Sequence, residues 1–155
     1  MLHHPTGGLM LREDKAGSGA FKAPRLPHPR KHNGHDYRCT PGQWVFAPLS
    51  GILTRGLYVY PRDFVWKGLE IADEMHTGLV CKLFYVEVLD HKIGTMVVRG
   101  EKVGRAQDIT LKYPGQGMLP HVHMQIEVKA THLYEKRNKL YINPSCFGVG
   151  LPGAL

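Results

Sequence analysis

No segment of this chain carries a sustained i, i+3, i+4, i+7 apolar stripe, so no long amphipathic helix is available to build a core. Apolar residues fall instead in short runs of β type: QWVFA (Gln43–Ala47), GILTRGLYV (Gly51–Val59), GLEIA (Gly68–Ala72), LVCKLFYVEV (Leu79–Val88), KVGRA after Gly100, and HVHMQIEV (His121–Val128). Eighteen Gly and eleven Pro punctuate them, which suits short strands joined by turns. Pro48–Gly51 reads as a hairpin turn and Asp73–Gly78 as a connector. In 155 residues, 43% hydrophobic content is enough for one core and excludes a wholly disordered chain. The expectation is an all-β fold: one domain over residues 21–147, a flexible segment over 1–20 and a flexible tail over 148–155. There is no internal repeat, no heptad, and no apolar run near the ~18–20 residues of a membrane helix.

The net charge of +7 favours polyanionic partners. Two stretches could form a basic face, Arg25–Arg38 and Lys129–Lys139. A sulfated glycosaminoglycan would fit such a face, with steep salt dependence; ordinary solvated charge accounts for it equally well, and nucleic acid is not expected. Trp44 is read as a core residue, and Trp66, in PRDFVWKG, as a contact-surface residue. Cys39, Cys81 and Cys146 contain no CxxC pair, which argues against a zinc ribbon or a thioredoxin-like site. The opening MLHHPTGGLML lacks the apolar stretch of a secretory signal. GEKVG has no Walker spacing, and no Ser-His-Asp or Cys-His pattern is present.

Two short segments concentrate metal-ligand side chains. One is His32-Asn33-Gly34-His35-Asp36, a His-x-x-x-Asp motif; the other is His121-Val122-His123 on the last strong strand. Side chains two apart on a strand share a face about 7 Å apart, so His121 and His123 can converge on one site. Zn²⁺ takes imidazole nitrogen and carboxylate oxygen in a tetrahedral set, and three protein ligands leave a position for water. His32, Asp36 and His123 supply such a set, with His121 beside the open position. Gly34 lets the backbone bend so that His32 and Asp36 both face inward. Each motif alone is weak, because ten histidines make chance pairs common. Their order in an all-β chain gives the combination its weight.

The run KHNGHDYRCTPGQWVFAPLSGIL resembles the lysostaphin-type zinc peptidase domain, with its His-x-x-x-Asp followed by Gly-x-x-Val-x-Ala-Pro-x-x-Gly. VVRGEKVGRAQ and PHVHMQIEV resemble that domain's Gly-x-x-x-Gly turn and His-x-His strand. CKLFYVEVLDHKI, RGEKVGRA and KYPGQGMLPHVHMQIE are closer still to the secreted chemotaxin branch of the superfamily, over about residues 17–128. The resemblance implies a compact antiparallel β-core with long loops and one zinc, held by His32, Asp36 and His123. It also implies a departure. The peptidases use two further histidines: His121 matches one, and Glu87 stands where the other is expected. An ionised carboxylate would repel the oxyanion that an imidazolium stabilises. Glu87 as general base, or His91 or His76 moving in from loops, are the candidate replacements.

The chemotaxin branch lacks that histidine too, which implies a secreted signalling ligand for a cell-surface receptor, chemotactic in action and without peptidase activity. The alternative is a zinc endopeptidase cleaving glycine-rich or peptidoglycan-type peptides, with His121 and the metal polarising water. A cytosolic polyanion-binding module is the third class. The branch's bridges imply Cys81–Cys146 as the disulfide here. They leave Cys39 without a partner, as in a chain whose signal peptide and first residues are missing.

Overall fold

The computed structural model describes residues 1–8, 10–25, 27–76, 78–128 and 140–150, with backbone alone at residues 28, 149 and 150. The basic run Lys129–Lys139 and the last five residues therefore lie outside the described residues. Ten strands build the two larger sheets: β1 (His35–Arg38), β2 (Trp44–Phe46), β3 (Gly51–Tyr60), β4 (Asp63–Asp73), β5 (Leu79–Phe84), β6 (Val86–Val88), β7 (Met96–Val97), β8 (Lys102–Ala106), β9 (His121–Val128) and β10 (Leu140–Ile142). Seven of them form an antiparallel sheet in the order β7-β3-β4-β5-β9. The far edge of β9 is divided, with β1 pairing residues 121–124 and β10 pairing 126–128. The other three form a small sheet in the order β6-β8-β2. The all-β, antiparallel expectation is met, and the described residues contain no α-helix.

Alternation along β9 divides the molecule. Val122, Met124 and Ile126 are fully buried on one side, against Leu53, Leu69, Ile71, Cys81 and Leu83. Each such aliphatic side chain contributes about 1.5–3 kcal/mol relative to exposure. On the other face, in line, stand His121, His123, Gln125 and Glu127, which are also buried.

The sequence run Leu79–Val88 reads as one strand but folds as two. Tyr85 takes φ 66° and its N–H donates to the Lys67 carbonyl at 2.8 Å. Positive φ at a residue with a Cβ breaks the pleat, so β5 stays in the large sheet and β6 joins the small one. Pro48–Gly51 is likewise not a hairpin turn. β2 pairs with β8, whereas β3 pairs with β4 and β7, so this segment carries the chain from one sheet to the other.

Within residues 1–20, expected as a flexible segment, the described residues make contacts with the domain. Leu2–His3 pairs in parallel with Val149–Gly150, the Phe46 N–H donates to the Pro5 carbonyl, and Arg12 is 1% exposed. The tryptophans exchange their expected roles. Trp66 is buried in β4, while Trp44 is half-buried beneath Arg105, whose guanidinium carbon lies 3.3 Å from the ring centroid. The Cys81–Cys146 bridge is absent. All three cysteines are free, with Cys81 turned into the core and Cys146 exposed on the 3-10 turn Pro144–Phe147.

Candidate metal centre

Register brings the two motifs together. β1 runs antiparallel to β9 with Asp36 opposite His123, and β5 places Phe84 opposite His123 from the other side. His32 reaches the pair from four residues before Asp36. Gly34 serves this by close approach, since a Cβ there would lie 2.1 Å from the Met124 carbonyl oxygen. The expected bend is thus better described as a contact that excludes any side chain. Phe84 stacks on the His123 ring at 5.2 Å and 10°, fixing the plane of the imidazole.

Nε2 of His32, Oδ1 of Asp36 and Nδ1 of His123 form a triangle with sides of 3.0, 2.8 and 2.9 Å. All three residues are buried. Four-coordinate zinc with bonds of about 2.0–2.1 Å sets its ligand atoms about 3.3 Å apart, so side-chain shifts of a few tenths of an ångström would admit it. His32 Nδ1 lies 2.9 Å from the Ala20 carbonyl, which can only accept. In the neutral ring this leaves Nε2 as a lone pair facing Asp36. Two nitrogens and a carboxylate oxygen converging in this way fit a divalent transition-metal cation.

The second oxygen of Asp36 is held separately. Arg25 donates to Oδ2 at 2.9 Å, and Arg12 at 3.2 and 3.3 Å through Nη2 and Nε. Burial alone would push the Asp36 carboxyl up. The rings of His123 and His32, which donate to it when protonated, with His121 nearby, outweigh burial and hold it well below the usual carboxylate range. Sequence reasoning missed both arginines, and nothing in the spacing marks Arg12 as a partner 24 residues from Asp36.

His121 lies beside the triangle, its Nε2 3.8 Å from Asp36 Oδ2 and its Nδ1 donating to the Leu119 carbonyl at 2.8 Å. Burial depresses its pKa, with Asp36 opposing. Its ring meets the edge of Tyr85 at 5.3 Å. Tyr85 bonds to Tyr60, which bonds in turn to Tyr113, and burial pushes the Tyr85 phenol up to about 12. A cavity of about 940 Å³ opens over the cluster; Tyr85 and Tyr113 line it, and Lys15, Arg30 and Lys31 add positive charge at its wall.

The remaining candidates are not brought to this place. Glu87 is half exposed on β6 and accepts from Lys67 at 2.6 Å. His76 is exposed and faces Asp73, and His91 is exposed on the 3-10 turn Asp90–Lys92. None of the three lines the cavity.

No family model matches the chain. Mouse leukocyte cell-derived chemotaxin-2 is 28% identical over 113 residues, which cover 72% of this chain and 69% of that protein. A mutant catalytic domain of the prophage-encoded M23 protein EnpA from Enterococcus faecalis superposes with a TM-score of 0.62 at 18% identity, over 94% of this chain and 96% of that one. The catalytic domain of the antimicrobial peptidase lysostaphin from Staphylococcus simulans gives 0.55 at 20%, over 77% and 82%.

Proposed function

We propose that this chain, which has the lysostaphin-type peptidase fold and is related in sequence to leukocyte cell-derived chemotaxin-2, is a secreted zinc-binding signalling protein that engages a cell-surface receptor and does not cleave peptides. The observation that carries the reading is the buried convergence of His32, Asp36 and His123 beside a site that retains one accessory histidine, His121. His32, Asp36 and His123 would hold the ion. Bound there, zinc would supply a Lewis-acid centre and cross-link β1, β9 and the segment that carries His32.

Hydrolysis needs a group to take up a proton and a group to stabilise the oxyanion. His121 can serve the first need, since it lines the cavity and its Nε2 is the ring nitrogen not engaged by the Leu119 carbonyl. For the second, the residue expected by sequence is Glu87, whose carboxylate is the wrong charge and is engaged by Lys67. That combination favours binding over turnover. The basic cavity wall adds a surface suited to an acidic or sulfated partner.

A second reading, a zinc endopeptidase for glycine-rich peptides, draws on Tyr85. Its neutral phenol borders the cavity next to His121 and could donate to an oxyanion. One pair of measurements separates the two. Metal analysis of the purified chain is expected to give about one zinc, lost in Asp36→Ala and His123→Ala. Incubation of the zinc-loaded protein with an oligoglycine peptide is expected to leave the peptide intact. Cleavage abolished by His121→Ala would establish the peptidase instead, and no zinc in the wild type would overturn both readings.

A further inference from the structure

The polar face of β9 continues beyond His123. Gln125 and Glu127 follow in the same alternation, 7% and 1% exposed. Lys82 on β5 stands opposite Gln125, and Glu70 on β4 stands opposite Lys82. Lys82 donates to both Glu127 oxygens at 2.9 and 2.8 Å and lies 3.6 Å from Glu70, which Arg55 also pairs at 3.0 Å. Lys82 and two carboxylates are thus buried together, and the exposed Arg55 brings the cluster near neutrality. Buried ion pairs seldom repay their desolvation, so stability is a poor reason for this cluster to exist. A polar link out of it leads to the candidate metal centre. Gln125 Nε2 donates to Glu127 Oε1 at 2.6 Å, and Gln125 Oε1 lies 3.1 Å from His123 Nε2.

The chemistry of these groups leaves one direction for the chain. A carboxylate only accepts, so Gln125 must turn its NH₂ toward Glu127 and its oxygen toward His123. An amide oxygen also only accepts, so His123 must carry its proton on Nε2. Asp36 Oδ1, 2.8 Å from Nδ1, is an acceptor as well, so a neutral ring satisfies both sides only when a cation takes the Nδ1 lone pair and the proton sits on Nε2. We propose that Lys82, Glu127 and Gln125 are positioning residues that fix His123 in the Nε2–H tautomer and so aim Nδ1 at the metal. The inference rests on reading His32, Asp36 and His123 as a metal site. It adds that the affinity of that site is set partly by an ion pair that does not touch it. Partners of this kind behind a metal-binding imidazole are generally worth 10–100-fold in affinity.

Two measurements test it. In ¹⁵N-labelled, zinc-loaded wild-type protein, imidazole correlation spectra are expected to show His123 protonated at Nε2 and without a proton at Nδ1. A proton on Nδ1 would overturn the proposal without any variant having to fold. Zinc affinity is then measured by competition with a chromogenic chelator. Gln125→Leu and Glu127→Gln are expected to bind about 10–100-fold more weakly. The exchanged double variant, Gln125→Glu with Glu127→Gln, keeps an acceptor facing His123 and is expected to recover most of the loss. Wild-type affinity in both single variants would overturn the relay and leave the metal site standing. A wild-type chain that takes up no zinc would overturn the metal reading, and the relay with it.

Discussion

Arg12 and Asp36 are both almost wholly buried and face one another, with Nη2 and Nε of the guanidinium 3.2 and 3.3 Å from Oδ2 of the carboxylate. The oxygen turned toward the histidines and the oxygen turned toward Arg12 belong to one group, so the candidate metal ligand is also the counter-ion of a guanidinium cut off from water.

Asp36 should therefore differ from His123 in what its loss does. Asp36→Asn leaves Arg12 buried with one carboxylate partner, Asp14, and removal of one member of a buried pair costs about 3–5 kcal/mol. That loss is expected in urea unfolding of the metal-free protein. His123→Ala is expected to cost less without metal and to abolish the rise in melting temperature that zinc gives the wild type. Equal metal-free stabilities of Asp36→Asn and wild type would refute the counter-ion role.

His35, next to Asp36 on β1, is buried against Tyr37. Burial first, then the neighbouring His32 and His123, depress its pKa to about 4, with Asp36 opposing. The folded state thus binds its proton more weakly than the unfolded chain, where histidine titrates near ~6.5. The stabilisation is complete above about pH 6.5 and is lost as pH falls toward 4, at up to about 1.4 kcal/mol per pH unit. Equilibrium unfolding between these limits should show at least that slope in metal-free protein, and His35→Gln should reduce it, leaving the share of the buried His121.

Gly34→Ala places a methyl 2.1 Å from the Met124 carbonyl oxygen, a contact that only movement of the His32–Asp36 segment or of β9 can relieve. A destabilisation of about 1–3 kcal/mol is expected from such overpacking. Because both displaced pieces carry candidate ligands, zinc affinity should fall in the same variant. Unchanged affinity would show that the segment is not held by this contact.

The strands and the three converging side chains were legible in the sequence because they are local signals. Alternation marks β9, Gly and Pro mark its limits, and the spacings of His32 with Asp36 and of His121 with His123 are visible without a fold. What escaped depends on where distant pieces meet. Arg12 meets Asp36 only through tertiary packing, 24 residues along the chain. Lys82 and Glu70 read as ordinary strand polar residues until the register sets them behind Gln125. The sheet change at Pro48–Gly51 and the break at Tyr85 come from a choice of partner strand, which local propensity does not encode.

The free cysteines give a simple check on the packing. Burial pushes the Cys39 thiol up to about 12 and raises Cys81 as well, whereas Cys146 is exposed. A chromogenic disulfide reagent is expected to titrate one thiol in the folded protein and three in guanidinium chloride, without prior reduction. A single thiol under denaturing conditions would reveal a bridge and restore the pairing that the chemotaxin resemblance implied.

The direction of Glu87 decides what a histidine at this position could do. If Glu87 alone silences a peptidase site, Glu87→His should awaken it. In this fold the positive φ of Tyr85 turns the chain into the small sheet, where Glu87 lies opposite Arg105 and reaches Lys67, while Tyr85 holds the place beside His121. An imidazole at position 87 would stand outside the cavity. Cleavage of an oligoglycine peptide by zinc-loaded Glu87→His is therefore expected to stay at background, with Lys67 freed of its partner and stability changed by about 0–1 kcal/mol, as for an exposed ion pair. Turnover in that variant would mean that this stretch of backbone rearranges to serve the metal, and that one residue separates this chain from an enzyme.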